Sequence, residues 1–333
     1  MTKITQNFKH ITKKDVAIAG GKGASLGEML KSGVAVPPGF VVVADAFDRF
    51  LEETDLKMEI ETALKKVNPD NINSVEKASK AIQDMIYDAI MPEDIAWEIT
   101  KDFAKLKSTC VAVRSSATAE DSAIASWAGE LDSYLNVTKT NLLESVKKCW
   151  ASLFTPRAIF YRFEKQLHKQ KVSVAVVVQK MVQSDVSGIT FTVHPVTEDR
   201  NQMVIEAGWG LGEAIVGGKI TPDTYIVNKP KAQNSKLKGN SKSKIPNSKN
   251  ITIMDKNISE QKMMIVRGAK GTVEKAVSKA NRHKQKMTDK QILKLAEICL
   301  DIEKHYKKPQ DIEWAVEKNK IYILQARPIT TLK

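Results

Sequence analysis

The stretch DIEWAVEKNKIYILQARP, residues 311–328, constrains this chain more than any other. Two apolar-rich runs of strand length flank the polar turn Glu317–Lys320, which predicts a β-hairpin. Strand alternation places Ile312, Trp314 and Val316 on one side, with Asp311, Glu313 and Ala315 on the other. On the return strand it groups Ile321, Ile323, Gln325 and Arg327. A hairpin centred on Asn319 then sets Glu313 opposite Gln325 and Asp311 opposite Arg327. One wall carries a carboxylate, an amide oxygen and a guanidinium. Two readings fit that wall. Hard oxygen ligands suit Mg²⁺, which takes one or two carboxylates plus substrate phosphates, and the arginine suits a phosphate fork. The alternative is an ordinary hairpin with a solvated, salt-bridged face.

The rest of the chain narrows the choice. At 333 residues it is long enough for two domains or subdomains, and 42% hydrophobic with 27% charged residues is ordinary globular composition. No run reaches the ~18 to 20 apolar residues of a membrane span, and the first residues lack an apolar signal core. A cytoplasmic protein without membrane contact is expected. Cys110, Cys149 and Cys299 are far apart and odd in number, which suits buried thiols in a reducing compartment. The net charge of +13 invites a polyanion partner. Residues 229–250, however, hold seven lysines and no acid, and without them the balance over the other 311 positions is +6. This Lys/Ser/Asn-rich stretch has the composition of a disordered surface insertion and lacks the aromatics of a specific nucleic-acid reader.

In chain order, the first signal is GGKGASLGEM, residues 20–29. Its glycines permit close backbone approach to a ligand, Ala24–Lys31 reads as a helix, and Lys22 adds a mobile positive charge near the helix start. The spacing matches neither a Walker A loop nor GxGxxG, so a plain glycine turn into a helix fits equally. A strand at 40–43 follows, then amphipathic helices over 45–66, 72–89 and 93–106. VAVRSSATAEDS, residues 111–122, delivers Arg114 from a short strand into small hydroxyl residues. This suits polyphosphate oxygens, or a serine-rich surface loop. Helices are expected near 141–153 and 156–167. The β-branched run 172–178 reads as a strand buried on both faces, running into Gln179. Strands at 186–192 and 203–207 frame His194-Pro195, whose histidine reads as structural. GWGLGEAIVGG, residues 208–218, is either a flexible ligand-facing loop or a crowded turn. Further strands near 251–254 and 263–267 and a helix over 287–305, opened by a Thr288/Gln291 capping box, lead to the hairpin.

GGKGASLGEM, VAVRSSA, WAGELDSYLNV, VVVQKMV, GWGLGEAIVGGKITPDTYIV and DIEWAVE…LQARPIT occur in one order over one chain. This order resembles the ATP-binding domain of the phosphoenolpyruvate synthase (pyruvate, water dikinase) and pyruvate phosphate dikinase family, to which rifampicin phosphotransferases are related. The resemblance implies an α+β, ATP-grasp-like fold with two subdomains, here 1–178 and 179–333, closing on ATP and Mg²⁺. It implies Lys22, Arg114 and Arg327 as catalytic, phosphate-holding residues. Gly129 would approach the phosphates by backbone, Ser133 stands where relatives often carry Thr, and Gln179 lies by the adenine. Glu313 and Gln325 are implied as metal ligands. Glu130 departs from the family, where a glutamine often follows Gly129.

The resemblance implies a phosphotransferase of dikinase type that moves a phosphoryl group from MgATP to a histidine on a separate swivelling domain. The end reaction converts pyruvate, ATP and water to phosphoenolpyruvate, AMP and phosphate, with pyruvate held on a further domain of another chain. None of His10, His168, His194, His283 and His305 sits in the Thr-Ser-His setting of the acceptor. Two other functions remain open: transfer to another small molecule, as in rifampicin phosphotransferases, and a non-catalytic nucleotide-sensing or polyanion-binding module.

Overall fold

The run Val174–Val178 does not alternate, and every residue of it is buried. It forms the middle of a sheet covered on both sides. The computed structural model describes residues 3–118, 131–167, 172–230, 251–269, 271–330 and 332. The described chain divides into two units, Met1–Met181 with Arg267–Thr272, and Val182–Val266 with Val273–Lys333.

In the first unit, strands β1 (Thr5–Asn7), β2 (Gly39–Val42), β3 (Val111–Ala117), β4 (Ser133–Val137) and β5 (Val174–Lys180) form an antiparallel sheet in the order β1-β2-β5-β3-β4. One face, carrying Phe40, Val42, Val113, Val176 and Val178, joins a core with α2 (Ala44–Glu53), α4 (Ile72–Asp88) and α6 (Leu142–Ala151). Trp150 anchors it, with its ring 4.9 Å from Phe50 and 5.5 Å from Phe47. The other face carries Val41 and Val177 and meets α1 (Val16–Lys31), whose Gly23 packs against both valines. Side-chain caps set the starts of α4 and of a further helix. Asn71 accepts from the Asn73 and Ser74 amides ahead of α4, and Thr155 caps α7 (Pro156–Glu164) with proline at its first position. The single helix expected over 45–66 is instead α2 and α3 (Leu56–Lys65), broken where Asp55 takes a left-handed conformation, φ 58°. α5 (Glu93–Lys105) stands where its periodicity placed it.

In the second unit, β6 (Val186–Phe191), β7 (Gln202–Trp209), β8 (Asp223–Asn228), β9 (Thr252–Asn257), β12 (Gln310–Glu317) and β13 (Lys320–Pro328) form a sheet in the order β13-β12-β6-β7-β8-β9. The short pair β10 (Met263–Arg267) and β11 (Thr272–Ala276) stands apart from it. Polar, exposed β11 escapes the sequence reading because it has no apolar face to reveal it. The inner face of the six-stranded sheet presents Ile312, Trp314, Val316, Ile205 and Tyr225, all buried. The buried stripe of α9 (Asp289–Tyr306), Ile292, Leu295, Ala296 and Cys299, serves the same core. Thr288 and Gln291 close the expected capping box on α9. A turn, α8 (Glu213–Val216), follows β7.

The insertion begins later than its composition suggests. Lys229 is held in a largely buried ion pair, 2.8 Å from Glu303, and its amide donates to the Asn201 carbonyl. Residues 231–250 lie outside the described residues.

Candidate functional site

Two sets of polar residues stand out, one on each unit. In the first unit, α1 is not one continuous helix. Gly20 has φ 67° and ψ 173°, a region essentially closed to other residues, so a new helical turn starts at Gly21 with Lys22 in it. A side chain at position 20 has no room: its Cβ would lie 2.2 Å from the Ser116 hydroxyl and 2.3 Å from the Ser116 carbonyl oxygen. Gly27 likewise lies against the Ile11 carbonyl. Gly20 and Gly27 are therefore required by close packing within the protein. Gly20→Ala should destabilise the unit by roughly 1–3 kcal/mol from backbone strain alone, read as a lower thermal midpoint.

Cross-strand register gathers the other expected residues on the α1 side of the sheet. Arg114 lies between Val177 and Ser133, and Val41 continues the row beyond Val177. Gln179, two residues along from Val177, is buried on the same side, with its amide 3.5 Å from the Pro37 carbonyl. Arg114 and Lys22 are half-buried and Ser133 is exposed. Lys22, Arg114, Ser133 and Gln179 thus belong to one layer formed by α1 and one face of the sheet. Gly129 and Glu130 lie outside the described residues, as does His168.

In the second unit the hairpin has the expected pairs, Glu313 opposite Gln325 and Asp311 opposite Arg327. It reaches them by another route. The turn has two central residues, Lys318 and Asn319, both with positive φ, and the register shifts between Trp314 and Glu313 so that Leu324 is an extra residue. Ile321 and Ile323 therefore pair with Val316 and Trp314 on the inner face, whereas Gln325 and Arg327 join Glu313 and Asp311 on the outer one. The expectation that these four share a side is overturned by this one-residue bulge.

The outer face carries a salt bridge, but much of it is withdrawn from solvent. Gln325 is buried, and the Asp311 side chain is only 14% exposed. Arg327 donates through Nε and Nη2 to one Asp311 oxygen, at 2.9 and 2.7 Å, which fixes the plane of its guanidinium. The register also reveals a residue that the sequence did not single out. Glu206 on β7 is in the same row as Glu313, with Ile189 between them. Burial, and then the nearby Asp311 charge, raise the Glu206 carboxyl above its ordinary range. Burial also raises Asp311, with Glu313 adding to it and Arg327 opposing. A buried face that concentrates carboxylates favours either protons or a cation.

A raised carboxyl favours the folded state while protonated and loses that advantage as pH climbs from its unfolded value through its folded one. Glu206→Gln should therefore unfold at a higher temperature than the wild type near neutral pH, with the gap closing below about pH 4. Melting curves across that range test the sign.

Among the described residues no group of three or more His, Cys, Asp or Glu is arranged to hold a metal ion by itself. One carboxylate and one amide oxygen, Glu313 and Gln325, instead match the partial ligand set of Mg²⁺ that arrives with phosphates. All three cysteines are buried, and burial pushes the Cys149 and Cys299 thiols up to about 12. His194 is structural as expected, its Nδ1 accepting from the Val196 and Thr197 amides at 3.3 and 3.2 Å. The glycine-rich segment after β7 is a crowded, pinned turn. Gln261 clamps the Trp209 amide and carbonyl at 2.8 and 3.0 Å, Ser187 donates to the Gly210 carbonyl, and Leu211 donates to that of Ile265.

The family described as pyruvate phosphate dikinase, AMP/ATP-binding domain, matches residues 16–333. The chain belongs to this family. The pyruvate phosphate dikinase AMP/ATP-binding domain accounts for the motif order and for an α+β fold of ATP-grasp-like type. A protein named probable phosphoenolpyruvate synthase from Methanocaldococcus jannaschii is 47% identical over 331 residues, covering 97% of this chain and 26% of its own length. The phosphoenolpyruvate synthase of Pyrococcus furiosus is 39% identical over 98% of this chain and 44% of its own length. The rifampicin phosphotransferase of Bacillus subtilis is 36% identical over the full chain and 36% of its own length. The chain thus spans between about a quarter and somewhat under half of these curated relatives. Among the described residues no helix is long and apolar enough to cross a membrane.

Proposed function

We propose that this chain binds MgATP and passes a phosphoryl group from it to a histidine on a separate domain or chain, as the ATP-binding part of a phosphoenolpyruvate synthase. The observation that carries this is the outer face of the hairpin, where Glu313 meets Gln325 and Asp311 orients Arg327 among carboxylates that burial has raised. Mg²⁺ held by Glu313 and Gln325 supplies charge neutralisation at the phosphoryl oxygens. Lys22, Arg114 and Arg327 hold phosphates, Ser133 and the Gly129 backbone add hydrogen bonds, and Gln179 borders the adenine. Phosphoryl transfer asks little covalent chemistry of the protein, so positioning and charge carry the catalysis and no general base is required.

The acceptor histidine and the pyruvate site are assigned to domains outside this chain, consistent with the share of the relatives' length that the chain spans. A cytoplasmic setting fits a metabolic role of this kind. Calorimetric titration with MgATP tests the nucleotide assignment: Lys22→Ala and Arg327→Ala should each weaken MgATP by about tenfold or more while sparing adenosine. Unchanged affinity in both variants would sink the assignment of these cations. A second reading, with a small molecule such as an antibiotic as acceptor, is supported by the 36% identity to a rifampicin phosphotransferase, a match that covers this chain and 36% of that protein. It keeps the same ATP site and differs only in the domain that receives the phosphoryl group.

A further inference from the structure

The break in α1 and the strand that carries Arg114 are joined by one side chain. Ser116 is fully buried on β3. Its hydroxyl donates to the Ala19 carbonyl at 2.9 Å and accepts from the Gly23 amide at 3.3 Å. These partners stand on either side of Gly20, the non-helical residue, and the Gly20 backbone itself lies against Ser116. Ser116 therefore splices the two segments of α1 and fixes the turn in which Lys22 sits. Arg114 is two residues earlier on the same strand, and alternation puts it on the same face.

We propose that Ser116 is a positioning residue that sets the spacing of the Lys22 ammonium and the Arg114 guanidinium for a nucleotide polyphosphate. This rests on the assignment of those two cations to the phosphates of MgATP. Neither cation has a stiff side chain. Their relative placement depends on where the α1 turn is anchored along β3, and the Ser116 hydroxyl makes that anchor. A displaced cation matters because misplacement on the order of 1 Å can cost about 100-fold in a site that works by geometry.

Its neighbour provides an internal control. Ser115 is equally buried but faces the other side of the sheet, where its hydroxyl bonds the Asp132 and Cys149 carbonyls and the Ser152 hydroxyl. Ser115→Ala removes comparable buried hydrogen bonds without touching the α1 break. The experiment compares Ser116→Ala, Ser115→Ala, Lys22→Ala and the Ser116→Ala/Lys22→Ala double variant of the full chain, by thermal unfolding and by titration with MgATP and adenosine. Both serine variants should lose similar stability. Only Ser116→Ala should weaken MgATP, by about 10- to 100-fold, with adenosine affinity unchanged. In the double variant the serine change should add little to the lysine change, because the residue it positions is gone.

Equal MgATP affinities for the two serine variants, with Lys22→Ala still impaired, would overturn the positioning role and leave the nucleotide assignment standing. Full additivity in the double variant would overturn it too. If Ser116→Ala fails to fold, Ser116→Thr, which keeps the hydroxyl, must fold and retain MgATP affinity within a few-fold, or the proposal falls. Wild-type affinity in Lys22→Ala would overturn the underlying assignment and this inference with it.

Discussion

Glu313→Ala is expected to lower affinity for MgATP by about 100-fold or more and to remove the dependence of binding on Mg²⁺, because the proposed Glu313/Gln325 site would lose its carboxylate. The substitution leaves the Asp311–Arg327 pair in place, so the hairpin should keep its register. Gln325, the cross-strand neighbour, is a neutral oxygen donor that cannot compensate the metal's charge alone. Adenosine should bind as in the wild type, since the change touches only the metal and phosphate end. Titration with and without Mg²⁺ reads both effects. Wild-type Mg²⁺ dependence in the variant would show that the carboxylate is a surface group of the sheet.

The second large effect concerns stability. Asp223 opens β8 with its side chain fully buried, and every lone-pair direction is answered. Lys286 Nζ donates to Oδ1 at 2.7 Å, and the Ser259 amide donates there at 2.9 Å. The Lys286 amide and the Tyr225 hydroxyl donate to Oδ2 at 2.9 and 2.8 Å. The Lys286 ammonium also reaches the Ser259 carbonyl, and its side chain is as inaccessible as that of Asp223. Burial and the Asp223 charge push the Tyr225 hydroxyl well above its ordinary value, so it stays protonated and remains a donor. Asp223→Ala strands a buried ammonium and several donors. Breaking one partner of such a pair typically costs about 3–5 kcal/mol, enough to melt the second unit well below the first. Asp223→Ala/Lys286→Met should recover much of the loss, because no unpaired charge is left behind. Calorimetric melting of both variants decides it, and a loss under about 0.5 kcal/mol in the single variant would contradict the network.

The sequence was most informative where residues pair locally. Glu313 with Gln325 and Asp311 with Arg327 follow from a hairpin's own arithmetic. Even there the agreement hides two offsetting features, a turn centred between Lys318 and Asn319 and a bulge at Leu324. Alternation could not see the bulge, and so it assigned Ile321 and Ile323 to the wrong face. Arg114, Ser133 and Gln179 could be named by resemblance, but only the register of β3, β4 and β5 puts them on one face. Glu206 is a lone acid in an apolar strand. Its place in the Glu313 row depends on the local β6–β7 pairing and on the β6–β12 pairing, which spans more than a hundred residues. Lys286 stands in a segment crowded with lysines, and nothing local marks it as the buried one. The helix break at Asp55 is invisible to periodicity, because the apolar pattern continues across it while the backbone does not.

The proposed phosphoryl transfer from MgATP to a histidine on another polypeptide can be tested directly. The chain should be incubated with MgATP labelled in its β-phosphate, with and without a separately produced histidine-bearing swivel domain of a phosphoenolpyruvate synthase. Nucleotides and protein-bound label are then separated by chromatography. AMP formation should depend on that domain, with label retained on its histidine, and the Glu313→Ala chain should produce neither. Tight MgATP binding without AMP or protein-bound label under either condition would contradict it.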